Sequence, residues 1–507
     1  MNSEKLKWLV ASLAVTAAAG IFFSAKPAKA EEYHQITVTP DQGEAAIQSA
    51  FNEANEKATA ETPYKVTLSD GTYEIYSSLH IYSNTYLDAG NAVIKASDGL
   101  YDNLLKVGTG SWDDSSGYFY SNITVDGGKW DRCEESGTSI KVAHAKNFTI
   151  KNAELFNSKN GHLMETAAVD GMTVGNCYFH DSSSDGVSDG GECIQIDILV
   201  SDHFNGYENM DNERDYVSKN ITVENCTFRN VTRAVGAHTG VYGIPYTNVK
   251  IQNNTLDDVK NVGLYLCNMK DLTISGNTIN SDDNGIEIYN IKDTRNGSYL
   301  PANGDNSYAN PETNGVIENN TINSSDGNGI YLKGIKFDSA GKGQKSGDVI
   351  PAGDYPIKNV EITGNEIKTK AKGKSPIILL DSEDISITKN KITGVNKKYY
   401  AIYIKDGSKK ITVNNNTIKG PFEAGIRTFN YASGYGKIQV NSINGNKITA
   451  KKGRNGISIG DAAVKSIKKN KITGTREYSI RIDSDSKAKS IKENSVPKSK
   501  TKGIHIS

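Results

Sequence analysis

Apolar and polar residues alternate in short runs along most of this chain, and the runs share one phrase. It reads LTISGNTI (Leu272 to Ile279), VEITGNEI (Val360 to Ile367), ISITKNKI (Ile385 to Ile392) and ITVNNNTI (Ile411 to Ile418). Two apolar residues flank one polar residue, an Asn follows, and another apolar residue stands two positions after it. That is period-two strand patterning, a turn, and a second short strand. The recurring residues are Asn254, Asn277, Asn320, Asn365, Asn390, Asn416, Asn446, Asn470 and Asn494. A period of about 24 residues made of short strands is one rung of a stacked coil, a parallel β-helix. Each rung buries its apolar face against the next, and the Asn is expected to bond the backbone of adjacent rungs.

Earlier rungs carry the phrase with other residues in the Asn slot: Gly128, Ala153, Cys177 and Cys226. The two cysteines read as small buried fillers. Three aperiodic insertions, His203 to Ser218, Asp293 to Thr313 and Gly334 to Tyr355, are expected as loops, which often form the binding face of a solenoid. Near the start, Thr39-Pro40 precedes an amphipathic stretch with Ile47, Ala50, Phe51 and Ala54 on one side. This predicts a helix capping the open end of the coil. Lys5 and Lys7, the apolar run Trp8 to Phe23 and Ala28-Lys29-Ala30 read as a secretory signal peptide. The expected organisation is therefore a signal peptide at 1–30, a segment with the capping helix at 31–64, and the β-helix at 65–507. The chain is expected to be secreted, extracellular and cell-wall associated. No later stretch is apolar enough to span a bilayer.

The phrase also fixes which side chains point outward. In SPIILLDSEDISI, Ile377 and Leu379 face in and Ile378 faces out. The same offset turns Lys141 and Glu165 outward. It turns Ile194, Ile196 and Ile198 in, with Gln195 and Asp197 out; His238, Tyr265, Glu287 and Tyr289 also face out. Neighbouring strands lie about 4.8 Å apart. Outward groups one or two rungs apart are thus about 5–10 Å apart, which suits two carboxylates acting on one glycosidic bond. Glu165, Glu192 and Asp197 are the candidate acid/base carboxylates, with His238 as the neighbour that sets their pKa. Lys141, Gln195, Arg233, Tyr265 and Glu287 are candidates to hold substrate, and Tyr265, Tyr289, Tyr331 and Tyr403 offer rings for sugar stacking. His144, His162 and His180 are expected at turns, and Cys193 in a structural role. The plain alternative is a solvated exterior, which the later rungs with Lys333, Lys405 and Arg427 resemble.

Overall charge is nearly balanced, with 58 basic and 59 acidic residues. From Val360 onward, however, roughly 30 basic residues face 12 acidic ones. The basic end suits an anionic partner such as a cell-wall polymer or acidic polysaccharide. Nucleic acid is not expected, because no aromatic-basic platform accompanies the charge. Five cysteines make neither a disulfide framework nor a zinc spacing. No metal ligand or cofactor is assigned. The Asp-rich run Asp181 to Glu192 offers hard oxygen ligands for Ca²⁺, but without EF-hand spacing.

With these features, residues 37–507 resemble the pectin-lyase-like superfamily of right-handed parallel β-helix proteins. The helix followed by Val66 to Tyr73 is similar to the cap and first rung of its polygalacturonase-type members. Gly190-Gly191-Glu192-Cys193-Ile194-Gln195-Ile196 is similar to the Gly-Asp-Asp-Cys-Ile-Ala-Ile segment of polygalacturonases, with Glu192 at the second Asp and Gly191 at the first. Ala237-His238-Thr239-Gly240 is similar to their Gly-His-Gly segment. The chain departs from the pattern in lacking the Asn-Thr-Asp partner and an Arg-Ile-Lys segment at the expected later place. The resemblance implies the fold and glycan chemistry, most simply that of a glycoside hydrolase on a polysaccharide. It also admits a lyase or C5-epimerase on a uronate polymer, with Lys141 or Arg233 neutralising the carboxylate and His238 taking the C5 proton. A non-catalytic cell-wall or glycan-binding surface protein is the third reading, since one fold hosts many functions.

Overall fold

A computed structural model describes residues 32–111, 117–183, 191–291, 295, 297–307, 309–370, 373–394, 398–497 and 503–507. The expected signal peptide and residues 184–190 of the Asp-rich run lie outside these residues.

The described chain winds as a parallel β-helix with three stacks of strands. The first stack holds the repeating phrase: Val249 is in register with Ile221 on one side and Leu272 on the other. The second follows the Asn turn, as where Thr278–Ser281 pairs in parallel with Thr321–Ser324. The third includes Met164–Gly175, Glu192–Asp197, Arg233–Ala237, Leu264–Cys267, Ile286–Tyr289 and Ile330–Lys333, each parallel to the next. The inward residues read from the phrase are all fully buried, including Ile194, Ile196, Ile198, Val235 and Ala237.

The capping helix spans Gly43–Lys57 and buries Ile47, Ala50, Phe51 and Ala54. At its entry, Thr39 N–H donates to Gln42 Oε1 at 2.8 Å, which stops the preceding strand and turns the chain. That strand, His34–Val38, pairs in parallel with Tyr64–Leu68. The sheet thus begins before the helix, and this strand pair joins the capping segment to the coil.

The Asn ladder forms as the spacing predicts. At each step the backbone N–H and Nδ2 of one Asn donate to Oδ1 of the next, as from Asn365 to Asn390 at 2.9 and 3.0 Å. Nδ2 also reaches back one rung, from Asn390 to Ile362 O at 2.8 Å. The chain of bonds runs unbroken from Asn254 to Asn494. Below it the cysteines carry on the line: Cys226 N–H donates to Asn254 Oδ1 at 2.9 Å, and Cys177 N–H to Cys226 Sγ at 3.5 Å. All five cysteines are free thiols. No described helix is long and apolar enough to cross a membrane.

Candidate functional site

Register brings the expected residues into one outward row on the third stack. Lys141 pairs with Glu165, Glu165 with Gln195, Gln195 with Gly236, Gly236 with Tyr265, and Tyr265 with Glu287. The row continues through Tyr331, Ile378, Tyr403 and Arg427. Asp197 and His238 lie beside it, and Glu192 and Arg233 form an adjacent pair at the strand entrances.

The face is not open to solvent as the sequence reading held. Lys141, Glu165, Glu192, Gln195, Asp197, Arg233 and His238 are all buried, with Glu192 and Asp197 at 0% exposure. The segment from Leu199 onward folds back as a roof: Leu199, Phe204, Tyr207 and Met210 pack on Ala143, Ala167 and Ala168. Small outward alanines leave room for those rings. Two lysines hold the roof down. Lys141 Nζ donates to Asn205 Oδ1 at 2.7 Å and sits 4.6 Å from the centre of the Phe204 ring. Lys106 Nζ donates to Gly206 O and lies 4.4 Å from the Tyr207 ring; burial pushes its amine down to about 8. Later insertions brace the roof from outside, through Lys345 to Asp211 at 2.7 Å and Arg214 to Pro301 O at 3.0 Å.

Under the roof the charges are paired. Glu165 meets Lys141 at 2.8 Å and accepts from Thr138 Oγ1 at 3.1 Å. Glu192 Oε1 meets Arg233 Nη1 at 2.8 Å and His238 Nδ1 at 3.4 Å. Burial alone would raise the Glu192 carboxyl, but the His238, Arg233 and His162 charges outweigh it and hold it well below the usual carboxylate range. Gly236 makes this seat: a Cβ there would stand 2.4 Å from Glu192 Cγ. Asp197 accepts from Gln195 Nε2 and Ile198 N–H, each at 2.7 Å, and from Thr239 Oγ1. Glu165 and Glu192 are thus each held as the partner of a buried cation, Lys141 and Arg233.

Beyond Tyr265 the row continues one rung further to Glu287. Glu287 is 7% exposed, between Tyr265 and Tyr331 in register, with Asn284 Nδ2 donating to its Oε2 at 2.7 Å. Burial raises its carboxyl, the nearby Asp283 adds to the rise, and Lys333 at 3.8 Å and Arg233 oppose it. Tyr265 lies under the Arg233 guanidinium at 4.6 Å and against Tyr289 at 4.9 Å between ring centres. Further along, Tyr400, Arg427, Arg454, Ser458, Arg481 and Asp483 line a cavity of 130 Å³.

Two histidines expected at turns touch the site instead. His162 Nδ1 donates to Glu192 O at 2.9 Å, and buried His144 lies against Tyr207 under the roof. His180 stays outside, stacked on Tyr178 and Phe156. The sequence reading missed His203, Asn205 and Phe204, which sit in the aperiodic insertion where no repeat sets register. Asp197, His203 and His238 each present a donor atom within 4.8 Å of the others. The Ca²⁺ reading of the Asp-rich run falls largely on residues outside those described.

The model of the right handed beta helix region matches residues 168–297 and 302–507. Plasmin and fibronectin-binding protein A of Streptococcus pneumoniae is 24% identical over 415 residues, covering 73% of this chain and 54% of that protein. The chain therefore matches about half the length of that relative. The crystal structure of PfbA, a surface adhesin of the same bacterium, gives a TM-score of 0.47 at 17% identity over 88% of this chain and 87% of that one. The A-module of the Azotobacter vinelandii mannuronan C-5 epimerase AlgE4 gives 0.42 at 14% identity over 89% and 95%. A mutant tailspike of Escherichia coli bacteriophage HK620 in complex with a pentasaccharide gives 0.46 at 12% identity over 91% and 74%. None of these supplies a residue role.

Proposed function

The chain belongs to the right-handed beta-helix family, of the pectin-lyase-like type, and on that premise we propose that it is an exported protein acting on a polysaccharide along the third sheet stack, as a glycoside hydrolase. The observation that carries this reading is the seat of Glu287. A nearly buried carboxyl between two outward tyrosines keeps a proton at higher pH than an exposed one, and a general acid needs that property. Tyr265 and Tyr331, in register on either side of Glu287, would meet the flanking sugars, and Asp283, whose charge is felt at Glu287, is the candidate for the second carboxylate that this chemistry requires. Glu165, Glu192 and Asp197 then have a different task from the one their row suggested. They set the shape and charge of the wall on which Arg233 lies over the Tyr265 ring.

Export rests on the pattern from Lys5 to Ala30, and the lysine-rich end from Val360 suits an anionic wall polymer beside the substrate. The test is a panel of neutral and uronate polysaccharides read by new reducing ends. Glu287→Gln should lower turnover about 100- to 10,000-fold with unchanged far-ultraviolet circular dichroism. Products carrying a 4,5-unsaturated uronate would move the reading to a lyase.

A second reading is binding without turnover. It is favoured by the closed ion pairs of Glu165 and Glu192, and the related Streptococcus pneumoniae protein is named for binding plasmin and fibronectin. Saturable retention of a glycan with no bond cleavage would select it.

A further inference from the structure

We propose that Asp197, His203 and His238 form a site for a divalent transition-metal ion, of the Zn²⁺ class, that fastens the roof to the sheet. The three come from separate segments: Asp197 from the strand Glu192–Asp197, His238 from just past the strand Arg233–Ala237, and His203 from the roof insertion. Two imidazoles and one carboxylate are the donor set that suits such ions, and one that Mg²⁺ and Ca²⁺ avoid.

The surroundings are built to orient these donors. His238 Nδ1 faces Glu192 Oε1 at 3.4 Å, the carboxylate–histidine arrangement that fixes a metal-binding imidazole. Its Nε2 then points to the Asp197 side, where Gln195 Nε2 lies 3.5 Å from it and 2.7 Å from Asp197 Oδ2. Thr239 and the Ile198 N–H anchor the other carboxylate oxygen. His203 stands edge-on to His238, with ring centres 5.5 Å apart, and is the partly exposed member through which an ion would enter.

Bonds of about 2.0–2.1 Å to one ion would draw the donors from within 4.8 Å to about 3.4 Å of each other. Asp197 and His238 are held by the sheet, so His203 and its roof segment make the movement. The ion therefore links roof closure to metal supply. This inference is independent of the glycan reading, because it is tested by binding alone.

The full-length protein, stripped with a chelator and dialysed, is titrated with Zn²⁺ by calorimetry and with Co²⁺ by visible absorption. One equivalent should bind at micromolar or lower Kd, with the Co²⁺ bands of a histidine-bound ion. His203→Ala, a change in the roof that leaves the sheet intact, should weaken binding at least 100-fold, and Glu192→Gln about 10- to 100-fold. Zn²⁺ should also slow proteolysis between residues 199 and 218 in the wild type but not in His203→Ala. Equal Zn²⁺ affinity in wild type and His203→Ala, or binding only at millimolar concentration, would overturn the proposal; so would a preference for Ca²⁺.

Discussion

His203 on the roof and His238 on the sheet face each other edge to face, with ring centres 5.5 Å apart at 70°. They are 35 residues apart in sequence, and only the fold-back of one insertion brings them together. The same fold-back buries the charged row that the repeat turned outward. The chemistry of this face therefore depends on how firmly the roof is held.

Phe204 is the roof's main apolar anchor, fully buried over Ala143 and Ala167. Phe204→Ala is expected to cost about 3–5 kcal/mol of local stability. It should raise hydrogen exchange and proteolytic cutting between residues 199 and 218 while the rungs after Val360 keep their protection. Uniform loss of protection along the coil would show that roof and coil unfold as one.

The Asn ladder makes a sharper stability prediction. Asn390→Ala removes the acceptor of Asn365 N–H and Nδ2 and the donor to Ile362 O. Buried polar groups left without partners cost about 1–3 kcal/mol each, so a loss of about 3 kcal/mol or more is expected in urea denaturation. Cys226→Asn should do the reverse. The slot sits below Asn254 in the same line, and an amide oxygen there would be a better acceptor for the Cys177 N–H than sulfur at 3.5 Å. A gain of about 1 kcal/mol is expected; a loss would mean that the slot is shaped for sulfur.

Asp381 carries a pH dependence of stability. Burial pushes its carboxyl up to about 7, the Asp354 and Asp406 charges add to the rise, and Lys409 and Lys336 oppose it. The folded state thus holds the proton more tightly than the unfolded chain, whose carboxyl titrates near 3.8. Stability should fall as pH rises from about 4 to about 7 and stay lower above that. Asp381→Asn suits the backbone φ of +44° there and should be nearly neutral at pH 4. At pH 8 it should stabilise by about 3–4 kcal/mol in urea titrations. Equal effects at both pH values would contradict this.

Gly236 offers a test of the buried ion pair. A Cβ at this position would collide with Glu192 Cγ at 2.4 Å, so Gly236→Ala should displace the carboxylate from Arg233 and His238. A destabilisation of about 2–4 kcal/mol is expected, and Gly236→Ala combined with Glu192→Ala should recover part of it, because the clash and the displaced charge are then gone together. Additive costs in the double variant would place the strain elsewhere.

Much of this architecture could be read from residues alone, because a solenoid repeats its instructions. The Asn ladder was legible from spacing, and the row from Lys141 to Glu287 from strict alternation about a known inward set. Burial of that row was not legible. It depends on Phe204, Tyr207 and Lys106 meeting across an insertion without period, and alternation gives direction but not what covers a face. One signal was present: outward Ala143 and Ala167 beside an aromatic-bearing insertion mark a place where something packs. Sequence alone places Glu287 among the substrate contacts, because its residue type fits either role. Its burial between Tyr265 and Tyr331, and the raised carboxyl that follows, exist only in three dimensions.

The central claim is that Glu287 delivers the proton in cleavage of a glycosidic bond. Reducing-end release from the best polysaccharide of the panel, measured against pH for wild type and Glu287→Gln, tests it most directly. Wild-type activity should fall on the alkaline side as the Glu287 carboxyl ionises, above the usual carboxylate range. The variant should retain substrate binding, lose turnover about 100-fold or more, and lose that alkaline limb. A Glu287→Gln protein with full turnover and an unchanged pH profile would contradict the account.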